Sequence, residues 1–217
     1  MSKGVEMDTL NYLKTRYGFS IDGQNPIILN HFSRKGKIIE LFNELNFRRG
    51  VEVGTDTGRY AKDLCEGLAN LKLTTIDPFL PYTEGDEIKD EQRSEAIYLE
   101  AVERLKNFNC EVVRKTSMEA IKDFEDNSLD FVFIDGNHEY EYVLEDITEW
   151  SRKVKVGGIV YGHDYTENKN RKYGVIEAVN KYVSDNNINP WFVLHTPSHN
   201  KPIKRGNFVD CWLFIKK

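Results

Sequence analysis

The chain has 217 residues, 40% of them hydrophobic and 30% charged, with a formal net charge of −5. That length supports one large domain with a substantial core, and the mild acidity argues against a protein that grips nucleic acid by electrostatics. No apolar run approaches the ~20 residues of a membrane span, and the start Met1-Ser2-Lys3-Gly4-Val5-Glu6 lacks a secretory apolar region, so a cytoplasmic protein with no membrane partner is expected.

Residues 1–47 are polar with scattered apolar positions. Ile38, Leu41, Phe42 and Leu45 recur at helical spacing and predict a helix begun at Ser33. This stretch reads as an N-terminal helical segment, either a lid or a packing layer, ahead of a domain over 48–217. From Gly50 strands and helices alternate. Val51-Glu52-Val53 is a short strand, and Ala61, Leu64, Cys65 and Leu68 mark a helix. Leu71 to Ile76 is a second strand, stopped by Asp77-Pro78. Residues 79–93 are long for an α/β connection and form a candidate functional loop. Ile97, Ala101, Val102 and Leu105 make the next helix, and Glu111-Val112-Val113 a third strand.

Phe131 to Ile134 is an unbroken apolar block suited to a strand buried on both faces, and it ends in Asp135-Gly136-Asn137-His138. A helix follows with Tyr140, Val143, Leu144, Ile147, Trp150 and Val154 on its stripe, leaving Asp146 and Glu149 on a solvated face. Val156-Gly157-Gly158 turns into a fifth strand, Ile159-Val160-Tyr161, ending at His163-Asp164. A helix through Val175, Ile176, Val179 and Val183 precedes two strands, Trp191–Leu194 and Cys211–Ile215, expected as an antiparallel hairpin on the sheet edge. His195 and His199 lie in the polar loop between them. Cys65, Cys110 and Cys211 are far apart in the chain and read as buried structural thiols. The fold class is therefore α/β, a doubly wound sheet.

Glu52-Val53-Gly54-Thr55-Asp56-Thr57-Gly58 lies between a strand and a helix, where glycines allow a tight turn and close approach to a ligand. Asp56 stands where a dinucleotide fingerprint has its second glycine, and no Gly-Lys-Ser/Thr follows, so neither a nicotinamide dinucleotide nor a triphosphate is favoured. Asp77 at the next strand end is placed to accept hydrogen bonds from ribose hydroxyls. These residues resemble the class I S-adenosylmethionine-dependent methyltransferases over about residues 50–217. The resemblance implies a Rossmann-like sheet of order 3-2-1-4-5-7-6 with the last strand antiparallel. It places Glu52, Gly54, Thr55 and Gly58 against the methionine part of S-adenosylmethionine, Asp77 on the ribose, and Ser117 and Met118 near the adenine.

Asp135 and Asp164 end adjacent parallel strands, ~5 Å apart plus side-chain reach, and His138 and His163 join them on one rim. The pattern is similar to the macrocin- and mycinamicin-type sugar O-methyltransferases, which carry Asp-x-x-His after strand four and two adjacent acids after strand five. Here His163 stands where the first of those acids would be. The resemblance implies a divalent metal, Mg²⁺ or Mn²⁺, on Asp135, His163 and Asp164, with His138 as general base and Asp135 also touching the cofactor's amino group. An imidazole's ordinary pKa of ~6.5 suits the base role. The expected activity is methylation of a hydroxyl on a small molecule, a sugar or glycoside among the candidates, with homo-oligomerisation left open. The competing readings are a metal-independent methyltransferase of the same fold and a non-catalytic cofactor-binding module. At the residue level, Asp135 as a turn residue, His138 as a helix cap and His163 as a hydrogen-bonding neighbour stay open.

Overall fold

The computed structural model describes residues 8–21, 25–84, 87–166, 174–195 and 210–217. The N-terminal part holds helix α1 (Thr9–Tyr17), strand β1 (Ile27–Asn30) and helix α2 (Lys37–Glu44). Asp8 caps α1 through its side chain, and Gly18, at φ 66°, ends it. Helix α2 starts at Lys37 rather than at Ser33, whose hydroxyl and carbonyl instead hold the preceding turn by accepting from Gly36 and Lys37 N–H.

The alternating region then runs β2 (Arg49–Val53), α3 (Arg59–Gly67), β3 (Lys72–Ile76) and a small ribbon of β4 (Tyr82–Glu84) and β5 (Glu87–Lys89). It continues through α4 (Glu91–Leu105), β6 (Cys110–Val113), the single-turn α5 (Ser117–Ala120) and β7 (Leu129–Ile134). The last elements are α6 (Tyr140–Lys153), β8 (Val154–Gly162), α7 (Val175–Asp185), β9 (Trp191–His195) and β10 (Cys211–Ile215). The main sheet has the order β6-β3-β2-β7-β8-β10-β9-β1. Numbered from β2 and without the separate ribbon, its first seven strands follow the implied 3-2-1-4-5-7-6, with β10 antiparallel to β8 and β9.

Two features of the sheet differ from the sequence expectation. The β9–β10 hairpin is not at the sheet edge, because β1 pairs in parallel with β9, Ile27 opposite Phe192 and Asn30 opposite His195. The supposed turn at Val156–Gly158 is a bulge inside the nine-residue β8, where the register passes from Leu129–Val154 to Phe131–Ile159 and Gly157 takes φ 80°.

Strand β7 shows why the sheet is buried on both sides. Phe131 and Phe133 point into a cluster with α2 and α3, whereas Val132 and Ile134 point into one with α6 and α7. The first face is aromatic: Phe42 stacks on Phe131 at 4.5 Å, and Tyr60 meets Phe133 edge-on at 4.5 Å. Cys211 is buried, while Cys65 and Cys110 are only half-buried and share a thiol hydrogen bond. No helix among the described residues is long and apolar enough to cross a membrane.

Candidate functional site

The carboxyl ends of β3, β2, β7 and β8 form one rim. At its centre the Gly54 N–H donates to Ile76 O and the Asp135 N–H to Val53 O, both at 2.8 Å. Gly54 has φ 97°, and a Cβ there would lie 2.0 Å from the Asp135 carbonyl oxygen. Only glycine suits both constraints. The close approach that the glycine turn allows is thus first of all to the backbone of β7's end. Gly58, at φ 72°, caps α3 and leaves its Cβ space to Leu105.

Glu52 is only 1% exposed and accepts from the Thr75 hydroxyl, which pairs with Thr55 Oγ1 at 2.7 Å. Burial pushes the Glu52 carboxyl up to about 8, so it is protonated at neutral pH. Asp77 accepts from Asp56 N–H at 3.1 Å and from Phe79 N–H at 2.8 Å, and burial raises its pKa. The 79–93 connection carries the β4–β5 ribbon, from which Lys89 reaches Asp56 at 3.2 Å and lies over the Tyr82 ring.

Ser117, expected beside the adenine, donates to Asp146 and accepts from Trp150 Nε1 at 2.7 Å. Met118 packs beside the α6–α7 cluster. Asp146 is 5% exposed, not on a solvated face, and burial lifts its carboxyl to about 7. Its position was legible: three residues after Val143 and four before Trp150, it falls on the buried stripe of α6.

His138 Nε2 lies 3.1 Å from Asp164 Oδ2 and 3.7 Å from Asp135 Oδ1. His163 Nδ1 approaches the same two carboxylates, at 3.0 Å from Asp164 and 3.6 Å from Asp135, and is more deeply buried than His138. Asp164 adopts φ 56°, between the bonds His163 N–H to Ile134 O and Tyr165 N–H to Asp210 O. A non-glycine residue held in that region marks stored strain of about 1–3 kcal/mol, a feature that gathers at functional sites.

Electrostatics separates the two imidazoles. Burial works against a charge on His163, but the Asp135 charge and bonds to both carboxylates outweigh it and raise its pKa to about 9. His163 is therefore cationic at neutral pH. Burial alone would raise Asp135 and Asp164, yet the neighbouring histidines pull both below the usual carboxylate range. A residue from outside the expected set completes the rim: Arg34 Nη1 sits 3.2 Å from Asp135 Oδ2. Its place in a segment 101 residues upstream of Asp135 left no local signal.

Among the described residues, Asp135, His138 and Asp164 offer three metal-type donor atoms within 4.8 Å of one another. Two carboxylates and an imidazole suit a first-row divalent ion. His163, expected as a ligand, faces the same carboxylates but is not one of these three. A cavity of about 10 Å³ behind Asp135, His138 and His163 has room for one water. His195, at the end of β9, pairs with Asp210 at 2.8 Å. The remainder of that loop, including His199, lies outside the described residues.

Residues 51–165 match the model of the methyltransferase-domain family, and the chain belongs to that family. It is 32% identical over 137 residues to an uncharacterized protein of Sinorhizobium fredii, covering 62% of this chain but only 15% of that relative's length. Among solved structures it is similar to the O-methyltransferase TomG from Streptomyces achromogenes, involved in tomaymycin synthesis and in complex with SAM. The TM-score is 0.57 at 15% identity, over 84% of this chain and 80% of TomG. It is also similar to an O-methyltransferase from Bacillus cereus in complex with SAH. Here the TM-score is 0.58 at 16% identity, over 99% of this chain and 94% of the other. At these identities the likeness speaks for the fold.

Proposed function

We propose that the chain transfers a methyl group from S-adenosylmethionine to a hydroxyl of a small molecule, with a sugar or glycoside hydroxyl as the acceptor class the resemblance points to. The observation that carries this reading is His138 held against Asp164 beside the Gly54 turn, on the same rim as Asp77. The cofactor-bound O-methyltransferases of the same fold support the choice of donor.

The cofactor supplies an activated methyl group on a sulfonium, so the protein has only to align the acceptor and remove its proton. Asp164, 3.1 Å from His138 Nε2, holds the proton on that nitrogen and orients the ring, so the acceptor's proton goes to Nδ1 and Asp164 stabilises the charge gained. His163, already cationic, is a poor base; it holds Asp135 and Asp164 ionised. Asp77 receives the ribose, and Ser117, fixed by Asp146 and Trp150, borders the adenine.

Divalent-metal assistance is the second reading, favoured by the convergence of Asp135, His138 and Asp164. A bound ion would lower the pKa of an acceptor hydroxyl, and His138 would then serve as ligand rather than base. Calorimetric titration with S-adenosylhomocysteine tests the core proposal; no binding at millimolar ligand sinks it. Methyl transfer that survives chelator removes the metal reading, and loss restored by Mg²⁺ or Mn²⁺ supports it.

A further inference from the structure

Arg34 stands in the turn between β1 and α2, upstream of the matched residues 51–165. Three contacts fix its place. The guanidinium carbon lies 4.8 Å from the centre of the Tyr60 ring and 5.6 Å from that of Phe133. The Tyr60 hydroxyl donates to the Arg34 carbonyl at 3.3 Å. Arg34 Nη1 then meets Asp135 Oδ2 at 3.2 Å, with both side chains about one-fifth exposed.

A pair in that setting contributes little to stability, since desolvation offsets most of its attraction. Its geometry suits recognition instead. A fixed cation and a fixed anion side by side, at the edge of a turn with no side chain at Gly54, complement a ligand group carrying ammonium and carboxylate on one carbon. Asp135 keeps its other oxygen toward His138 and His163. Oδ2 is therefore the oxygen shared between Arg34 and an incoming ammonium.

Resting on the cofactor reading above, we propose that Arg34 binds the α-carboxylate of S-adenosylmethionine while Asp135 receives its α-ammonium. The segment before the matched domain thereby forms part of the cofactor site. Arg34 becomes the residue that distinguishes a nucleoside thioether bearing an amino-acid head from one without it.

The test compares two ligands on the full chain by calorimetry: S-adenosylhomocysteine, and 5′-deoxy-5′-methylthioadenosine, which has the adenosine and the sulfur but no zwitterion. Arg34→Met should weaken S-adenosylhomocysteine by at least about tenfold, the worth of one charge-assisted contact, and leave methylthioadenosine affinity unchanged. Arg34→Lys should recover part of the loss. Retained methylthioadenosine binding also shows that the variant is folded. Unchanged S-adenosylhomocysteine affinity in Arg34→Met, or equal weakening of both ligands, overturns the proposal and leaves Arg34 as a support for its own segment. A wild-type chain that binds neither ligand overturns the cofactor reading and this proposal together. A wild-type chain that binds both, with Arg34→Met indistinguishable from it, overturns this proposal alone.

Discussion

His138 and His163 approach the same pair of carboxylates, and the proposed mechanism gives them different work. His163 is the buried cation between Asp135 and Asp164, and His138 is the more exposed ring facing the rim. Replacing His138 with alanine should lower kcat by about 10²–10⁴-fold while S-adenosylhomocysteine affinity stays near wild type. Single-turnover methyl transfer at saturating acceptor reads this; near-normal turnover would dismiss His138 as the base. Asp146 gives a stability counterpart. Asp146→Ala leaves the Ser117 hydroxyl without its acceptor, at a cost of about 1–3 kcal/mol, seen as a lower urea midpoint. Asp135, His138 and Asp164 were legible in sequence because each sits within a few residues of a strand end, where local pattern carries the information. Arg34 was not, because only tertiary packing brings it across the chain. Asp146 was readable from its spacing and was missed because a charged residue on a helix is usually solvated.

At the scale of elements, β7 was readable because an apolar run with aromatic and β-branched residues has few other fates in an α/β chain. Strand β1 was not. Ile27–Asn30 is a four-residue strand whose reason for being extended lies in β9, far along the sequence. The β8 bulge was hidden for a related reason, since Gly157-Gly158 has the composition of a turn and only the register across β7 shows that the strand continues. The contact between the Gly54 turn and the end of β7 yields a sharper expectation. Gly54→Ala forces a Cβ against the Asp135 carbonyl at an unfavourable φ. It should cost at least about 1–3 kcal/mol and weaken S-adenosylhomocysteine in parallel, since one backbone junction shapes both. Chemical denaturation and calorimetry on the same variant measure the two losses; an alanine variant with wild-type stability would contradict the crowding at this junction.

For the molecule as a whole, the buried titratable groups set a direction for pH dependence. Glu52 and Asp146, with pKa values of about 8 and about 7, keep protons in the folded state that the unfolded chain releases above about pH 4. Stability should therefore fall as pH rises from about 5 to 7, by up to about 1 kcal/mol per pH unit for each group. His163 extends the decline toward pH 9, because its folded-state charge is lost there while the unfolded imidazole is already neutral above about 6.5. Asp135 and Asp164, lowered in the fold, act in the opposite sense and withdraw their contribution as pH drops below about 4. The expected maximum lies on the acid side of neutrality, and Glu52→Gln should flatten the slope between pH 5 and 7. Urea midpoints across that range provide the check; a slope identical in the variant would assign the dependence elsewhere.

The parallel pairing of β1 with β9 ties Ile27 to Phe192, and so sets the order in which the molecule can be assembled. During synthesis the segment carrying Arg34 emerges early, but its edge position has no neighbour until the strands beyond residue 190 have been made and have turned back between it and β8. Contacts of such long sequence separation close slowly. The rim formed by β2, β3, β7 and β8 can therefore be in place before β1 is locked at the sheet edge, leaving the segment of Arg34 held until then by its contacts with Tyr60, Phe133 and Asp135. A refolding experiment should find nucleoside binding returning ahead of full S-adenosylhomocysteine affinity, with the interval marking the docking of β1.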